Sequence, residues 1–575
     1  MSDPKLLCAN NQGVAIPCKS TGSLACKNCL LVPYCSKRCQ AAHWPIHRKD
    51  CKSINNWQPL WVKERRVPAF IGNSSAQVFH GPNKYLWGNV PAIDVIQLQH
   101  NEGVNFKNPL NLLFPASGDM RNVILSIVNL HSYNGPLSIV LNDREMDIVA
   151  RNAIFLLIFL VEDDPIIAAE HVLHIWYSAL ITEPCQSLLQ DKLRPMVKSV
   201  CDKIMHKPGS SLLAKTWLFG NASLRLVLSR DKWFSFLSYF DVPQGLTKDT
   251  AQRVRQAVML APERVDYVHR VMCLKTPPQR LGMFKFRADG ILLPFSHTRE
   301  EFTVPNPTLF HSTYEWPMMD NADPTSGWSL KAFLEFNIGP TKNDIYGKLY
   351  HYLRQLFVEF HRRLRAFSVK FELLQADARS LQLGEKRFDR IDVGNIADLC
   401  HLGIGETLKT FGPLLQPTII NEHATLITLF INAVPEMIML KEGRMFPPDN
   451  MPEQIEKVFQ YMPELEQPTA TNMTTNMTTN MTTNMTKTLM AMNLVQDVDG
   501  NFDMYTMLHA FHSTAIRSGL WMKDTHTIIE RWPMRISQEL TEQAKEYFAL
   551  LLSSSHNGQE RYVEWSRIVG RTRKE

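Results

Sequence analysis

Eight residues near the start of the chain have the types and spacings that hold metal: Cys8, Cys18, Cys26, Cys29, Cys35, Cys39, His47 and Cys51. Their densest stretch reads C-x2-C-x5-C-x3-C-x7-H-x3-C. Zinc takes four nitrogen or sulfur ligands in a tetrahedron, and a turn such as Cys26-x2-Cys29 presents two thiolates to one ion. Cys35 and Cys39 are four apart, as are His47 and Cys51, so each pair lies on one face of a helical turn. Two helical pairs and two loop pairs make two complete sites, and two Zn2+ ions are the expected cofactors. With four protein ligands apiece, the ions are expected to be structural rather than catalytic. His43, one turn after Cys39, stands as an alternative ligand. A segment of about fifty residues buries too little core to fold alone, so metal is expected to fold it.

The rest of the composition narrows the class. Seven of the eleven cysteines precede residue 52, which fits thiols and metal ligands in a reducing compartment rather than disulfides. Residues 1–66 hold eleven Lys/Arg against three Asp/Glu, an excess of eight that exceeds the whole net charge of +6. The remainder is about neutral and carries no basic field for nucleic acid, so no nucleic-acid partner is expected. The opening MSDPKLL is not a secretory signal. The most apolar stretch, residues 153–161, is nine long and stops at Glu162-Asp163-Asp164. A membrane helix needs about 20 apolar residues, so this one is expected to be a buried helix, with no membrane partner. The expected location is cytoplasmic, although the basic finger leaves nuclear entry open.

Residues 34–51, YCSKRCQAAHWPIHRKDC, resemble the MYND finger family. In that family the ligand pairs interleave. The resemblance therefore implies that Cys8, Cys18, Cys35 and Cys39 hold one ion and Cys26, Cys29, His47 and Cys51 the other. The family usually opens with C-x2-C, whereas nine residues separate Cys8 from Cys18. MYND fingers grip short proline-containing peptides with a Gln and a Trp from the helix, which implies Gln40 and Trp44 here. An aromatic face beside an amide suits an extended proline-rich ligand. The basic residues Lys37, Arg38, Arg48, Lys49 and Lys52 favour an acidic flank on the partner.

Farther along, the grammar changes. Residues 108–114 (NPLNLLF) form an apolar run, followed by PASGD, a helical pattern at 120–130 and a second run, LSIVL, ending at Asn142-Asp143. A long apolar helix follows. Strand, helix, strand, helix is the order of a parallel sheet. The pattern resumes with KFELLQADARSL, FDRIDVGNIADL and ATLITLFI, from residue 370 onward. That order is similar to the class I methyltransferase fold. The expectation is one Rossmann-like domain, residues 86–165 and 366–460, split by a mainly helical insertion at 166–365. The finger would occupy 1–53, a linker 54–85, a low-complexity linker 461–488 and a small helical unit 489–575. Residues 86–179 also resemble the N-terminal domain of dynein assembly factor 3, which implies a methyltransferase-like scaffold in an assembly or interaction protein.

Gly118, Asp119, Asp143, Asp377 and Asn395 fall where such folds bind a nucleotide-like cofactor, at the carboxyl ends of strands. S-adenosylmethionine is the ligand the resemblance implies. The loop PASGD argues against it, because it has one glycine and opens with a proline that lacks an N–H.

Other signals carry less. Four TNMT copies at 471–486 read as a disordered linker. Their sequons at Asn472, Asn476, Asn480 and Asn484 mean nothing without a secretory route. Aligning Gly500 with the sixth position of a calcium loop puts Val495 and Thr506 where acids are required, which excludes that reading. The leading expectation is a zinc-binding protein–protein adaptor with a non-catalytic Rossmann-like scaffold. The competing expectation is a methyltransferase or nucleotide-binding protein whose finger delivers substrate.

Overall fold

A computed structural model describes residues 6–11, 17–53, 57–71, 80–310, 315–442, 451–465 and 477–568. In the finger, strands β1 (Leu24–Ala25) and β2 (Pro33–Tyr34) pair antiparallel ahead of the helix Lys37–Ser53. The body is built on a nine-stranded sheet. Its strands are β3 (Leu110–Phe114), β4 (Leu137–Asp143), β6 (Leu212–Phe219), β7 (Ala222–Ser229), β9 (Val369–Gln375), β10 (Arg390–Asp392), β11 (Thr425–Phe430), β12 (Leu520–Met522) and β13 (Arg561–Arg567). Two further strands, β5 (Leu180–Thr182) and β8 (Phe302–Pro305), make a separate antiparallel pair.

The large sheet runs β12-β13-β11-β10-β3-β4-β9-β7-β6. Its centre, from β11 to β7, is parallel, with Leu112 opposite Ile139 and Ile139 opposite Phe371. β13, β12 and β6 are added through antiparallel pairs at the two ends. Alternation along each strand divides the interior into two cores, because successive side chains point to opposite faces. Leu112, Ile139, Leu141, Ile427 and Leu429 pack into one, beneath the helices Met146–Val161, Pro165–Tyr177 and Ile345–Ala366. Leu113, Val140, Leu426 and Phe430 pack into the other, against Leu408, Phe502, Phe511 and Trp565. The run at 153–161 is a helix segment buried through residue 160, and no helix among the described residues is long and apolar enough to cross a membrane.

Three sequence expectations need correction. The C-terminal unit is not simply helical, since β12 and β13 complete the large sheet and β13 lies against β11. β13 escaped notice because its RYVEWSR carries charged residues that are nonetheless buried, Arg561 and Glu564 among them. Within the insertion, strands accompany the helices. β6 and β7 form a hairpin that extends the sheet past β9, turning at Gly220-Asn221 with Gly220 in the left-handed region at φ +57°. A glycine there makes such a two-residue turn free of steric strain. The stretch at 54–85 is more than a linker: Trp61 is buried, and Arg66 grips Asp266 through both terminal nitrogens at 2.5 and 2.7 Å. The second half of the TNMT repeat belongs to a helix, Met477–Ala491, whose Thr486 and Thr488 are buried; Asn472 and Asn476 lie outside the described residues.

Candidate metal centre

The finger brings its eight ligands into two sets. Cys8, Cys18, Cys35 and Cys39 gather in one, and Cys26, Cys29, His47 and Cys51 in the other, with all ligand atoms of a set within 4.8 Å of one another. The separations are 3.6 Å for Cys18–Cys35 and 3.4 Å for Cys35–Cys39. In the second set Cys26–Cys51 is 3.8 Å, and Cys29 Sγ lies 3.4 Å from His47 Nε2. A Zn–S bond of about 2.3 Å places the corners of a tetrahedron roughly 3.8 Å apart, so both cages fit zinc.

The local sequence explains the geometry. Ser36 Oγ accepts from the Cys39 amide at 3.2 Å, which anchors the first helical turn and puts Cys35 and Cys39 side by side. Leu30 adopts φ +55° in the turn after Cys29, reversing the chain so that the Cys26 amide can donate to Val32 O at 3.1 Å. Asn28 Nδ2 donates to Cys51 Sγ at 3.1 Å and to its carbonyl at 3.2 Å, an outer contact that orients a ligand. Sequence reasoning did not single out Asn28, although an amide inside a C-x2-C turn was the available signal. Burial pushes the Cys8 thiol up to about 12 and raises that of Cys29. A dication is what would make thiolates favourable in those positions. Burial also lowers His47 to about 4, leaving it neutral and able to ligate.

His43 belongs to neither set. It is buried, its Nδ1 is 3.0 Å from Tyr34 Oη, and it stacks on His47 with centroids 6.2 Å apart. Gln40 is half-buried, and Trp44 remains exposed one turn later, its ring edge-on to His47 at 5.9 Å. Lys37, Arg38, Arg48, Lys49 and Lys52 are all exposed. The opposite side of the finger rests on the body: Phe295 packs into the finger's core, and Asn343 Nδ2 donates to Cys29 O at 3.0 Å.

The five residues expected around a cofactor sit at the carboxyl ends of β3, β4, β9 and β10, and most are bonded to neighbouring chain. Asp143 accepts from the Gly118 amide at 3.0 Å and the Glu145 amide at 2.9 Å, and burial raises its pKa. Asp119 accepts from the Gly88 amide at 2.9 Å and from Arg121 Nε at 2.6 Å. Asp377 is held by Arg379, which lowers its carboxyl to about 2. Asn395 Nδ2 faces His401 at 3.4 Å. Gly118 has φ +53° and open space on its side-chain side. Between β3 and β10 the chain closes in: a Cβ on Gly394 would stand 3.6 Å from Ala116 O. Asn142, a residue sequence reasoning passed over, ties Pro115 O at 2.8 Å to Ala376 O at 2.9 Å.

Comparison with known proteins bears on two segments. Neither a curated protein nor a solved structure matches the chain. Residues 86–181 match a domain of unknown function (DUF4470), which spans β3, β4 and the helices Arg121–Asn129, Met146–Val161 and Pro165–Tyr177. Residues 8–51 match the MYND finger, and the two cages described above carry that finger's zinc-binding chemistry.

Proposed function

We propose that the chain is a zinc-dependent interaction adaptor whose finger grips a proline-containing segment of a partner protein. The observation that carries this reading is Trp44, left 38% exposed on the helix that holds His47 in the second cage. Gln40 lies one turn earlier on the same face. Proline-rich segments are preformed and extended, and they dock on aromatic faces with little loss of entropy. The exposed basic residues around Trp44 favour an acidic flank on that partner.

The body, in this reading, is a Rossmann-like scaffold without catalysis. What supports the fold assignment is the spatial order β9-β4-β3-β10-β11. Taken as the third, second, first, fourth and fifth strands, it follows the 3-2-1-4-5 plan of doubly wound sheets. What weighs against catalysis is that Asp119, Asp143 and Asp377 already accept hydrogen bonds from Gly88, Gly118 and Arg379. A cytoplasmic role in assembling another complex rests on the resemblance of residues 86–179 to dynein assembly factor 3.

The test is capture of immobilised proline-containing peptides by the full chain and by Trp44→Ala. Loss of a central aromatic anchor costs about 2 kcal/mol or more, so binding should weaken by roughly thirtyfold. A variant that holds every peptide as the parent does would sink the groove assignment. In parallel, calorimetric titration of S-adenosylmethionine should show no saturable heat. Binding abolished by Asp143→Ala would instead favour the methyltransferase.

A further inference from the structure

Away from the finger, and bordering the carboxyl end of β3 where Gly88 donates to Asp119, a cleft of about 370 Å³ opens between distant parts of the chain. Its walls come from residues 84–89, the helices Val265–Cys273 and Pro277–Asp289, residues 318–326 and the C-terminal segment 490–494 with 551–557. A volume of roughly 300–1,000 Å³ is that of a small-molecule site. The apolar part is supplied by Trp87, Met283, Met318, Met490 and Leu551. Methionine is unbranched and polarisable, and it moulds itself to ligands of varied outline.

The polar part is unusual in being short of partners. His556 is 7% exposed, and neither ring nitrogen has a hydrogen-bond partner among the described residues. Burial and the nearby Arg121 lower its pKa to about 4, so at neutral pH it offers one N–H donor and one acceptor. A buried, unsatisfied group of this kind is destabilising unless something binds it. Arg270 stacks over Phe70 and Tyr267 with its Nε buried and unpaired. Lys275 makes one hydrogen bond, to Ser553 O at 2.7 Å, and no carboxylate pairs with it among the described residues. Asp323 is the acid that acts on it through space, yet Asp323 already accepts from Thr325 and from Tyr346 Oη at 2.6 Å. Arg264 is neutralised by Asp320 at 2.8 Å. The cleft thus keeps Lys275, Arg270 and His556 short of acceptors beside an apolar lining, with the Nε of Arg287 also unpaired while its terminal nitrogens donate to the Asp320 and Met259 carbonyls.

We propose that this cleft binds a small organic anion, with a compact apolar body against the methionines and an acidic group facing Lys275, Arg270 and His556. A cleft of this size takes a small molecule rather than a polymer. Two acidic groups share the required chemistry, a carboxylate and a phosphate.

The test uses the zinc-loaded full chain and 1-anilinonaphthalene-8-sulfonate, an apolar body bearing one sulfonate. The expected result is one saturable fluorescent site per chain, weakened at least tenfold by Lys275→Met. Asn321→Trp, on the exposed lip of the cleft, should also weaken it tenfold without removing any buried group, so a fold defect in the first variant leaves the test intact. Competition with octanoate and with phenyl phosphate identifies the acidic group, since displacement by either supports the site and tells the two sources apart. Absence of a saturable site, affinity within twofold of the parent in Asn321→Trp, or displacement by neither anion would overturn the proposal.

Discussion

Single side chains decide how this molecule responds to pH. Glu560 is buried, one of its carboxylate oxygens has no partner among the described residues, and burial raises its pKa to about 7. The backbone amides of residues 557–560 pull the other way and lose. In the folded chain Glu560 therefore holds a proton that the unfolded chain has released above the ordinary value of 4.5. Stability contributed by that proton is present below pH 4.5 and disappears as pH rises towards 7. Glu560→Gln, neutral at every pH, should remove that slope, a difference on the order of 2–3 kcal/mol between pH 5 and pH 8. Urea midpoints of parent and variant at the two pH values check this. Parallel slopes in both proteins would mean that Glu560 is ionised throughout.

At the scale of elements, β13 shows how a charged strand can sit inside a sheet, one strand from its edge. Glu564 is fully buried, and its oxygens accept from the amides of Thr527, Ile528 and Ile529 at 3.0, 2.8 and 3.0 Å and from Lys523 Nζ at 3.1 Å. Glu564→Ala would strand Lys523 and three amides, and unfolding should become easier by about 3–5 kcal/mol, as urea denaturation would reveal. A loss below about 1 kcal/mol would mean that water or a rearranged loop replaces the carboxylate. The same strand explains why the C-terminal fold was hard to read. Arg561 and Glu564 look like surface residues in the sequence, and only the loop at 527–529, more than thirty residues upstream, makes a carboxylate tolerable there. The β6–β7 hairpin left a partial signal in the sequence, since Gly220-Asn221 precedes SLRLVLS, where leucines recur at every second position.

For the whole molecule, what could be read early was what short spacings dictate. The zinc ligands and the strand–helix order of residues 108–161 are local facts. The strand-end residues could be located, but not all their hydrogen bonds, because one donor to each of Asp119 and Asp143 comes from 31 and 25 positions away, Gly88 and Gly118. The cleft could not be read at all, since its walls are gathered from residues 84 to 557. The finger's core is nearly its own, touching the body through Phe295 and Leu281. Chelation of zinc should accordingly release two equivalents and unfold the finger. The calorimetric transition of the body should persist, shifted by only a few degrees. Loss of both transitions together would show that the body depends on the finger.

The insertion between β4 and β9 has a consequence for synthesis. β9 follows β4 by some 230 residues, and at 5–20 residues per second it leaves the ribosome roughly ten to forty-five seconds later. Through that interval the apolar edge of β4 has no partner on that side. β7 emerges first, and in the finished sheet Ala222 and Leu137 flank the same Val369 from opposite sides. A nascent chain therefore offers β4 a premature neighbour that β9 must later part, and a chaperone holding β4 apart would raise the yield of correctly threaded sheet.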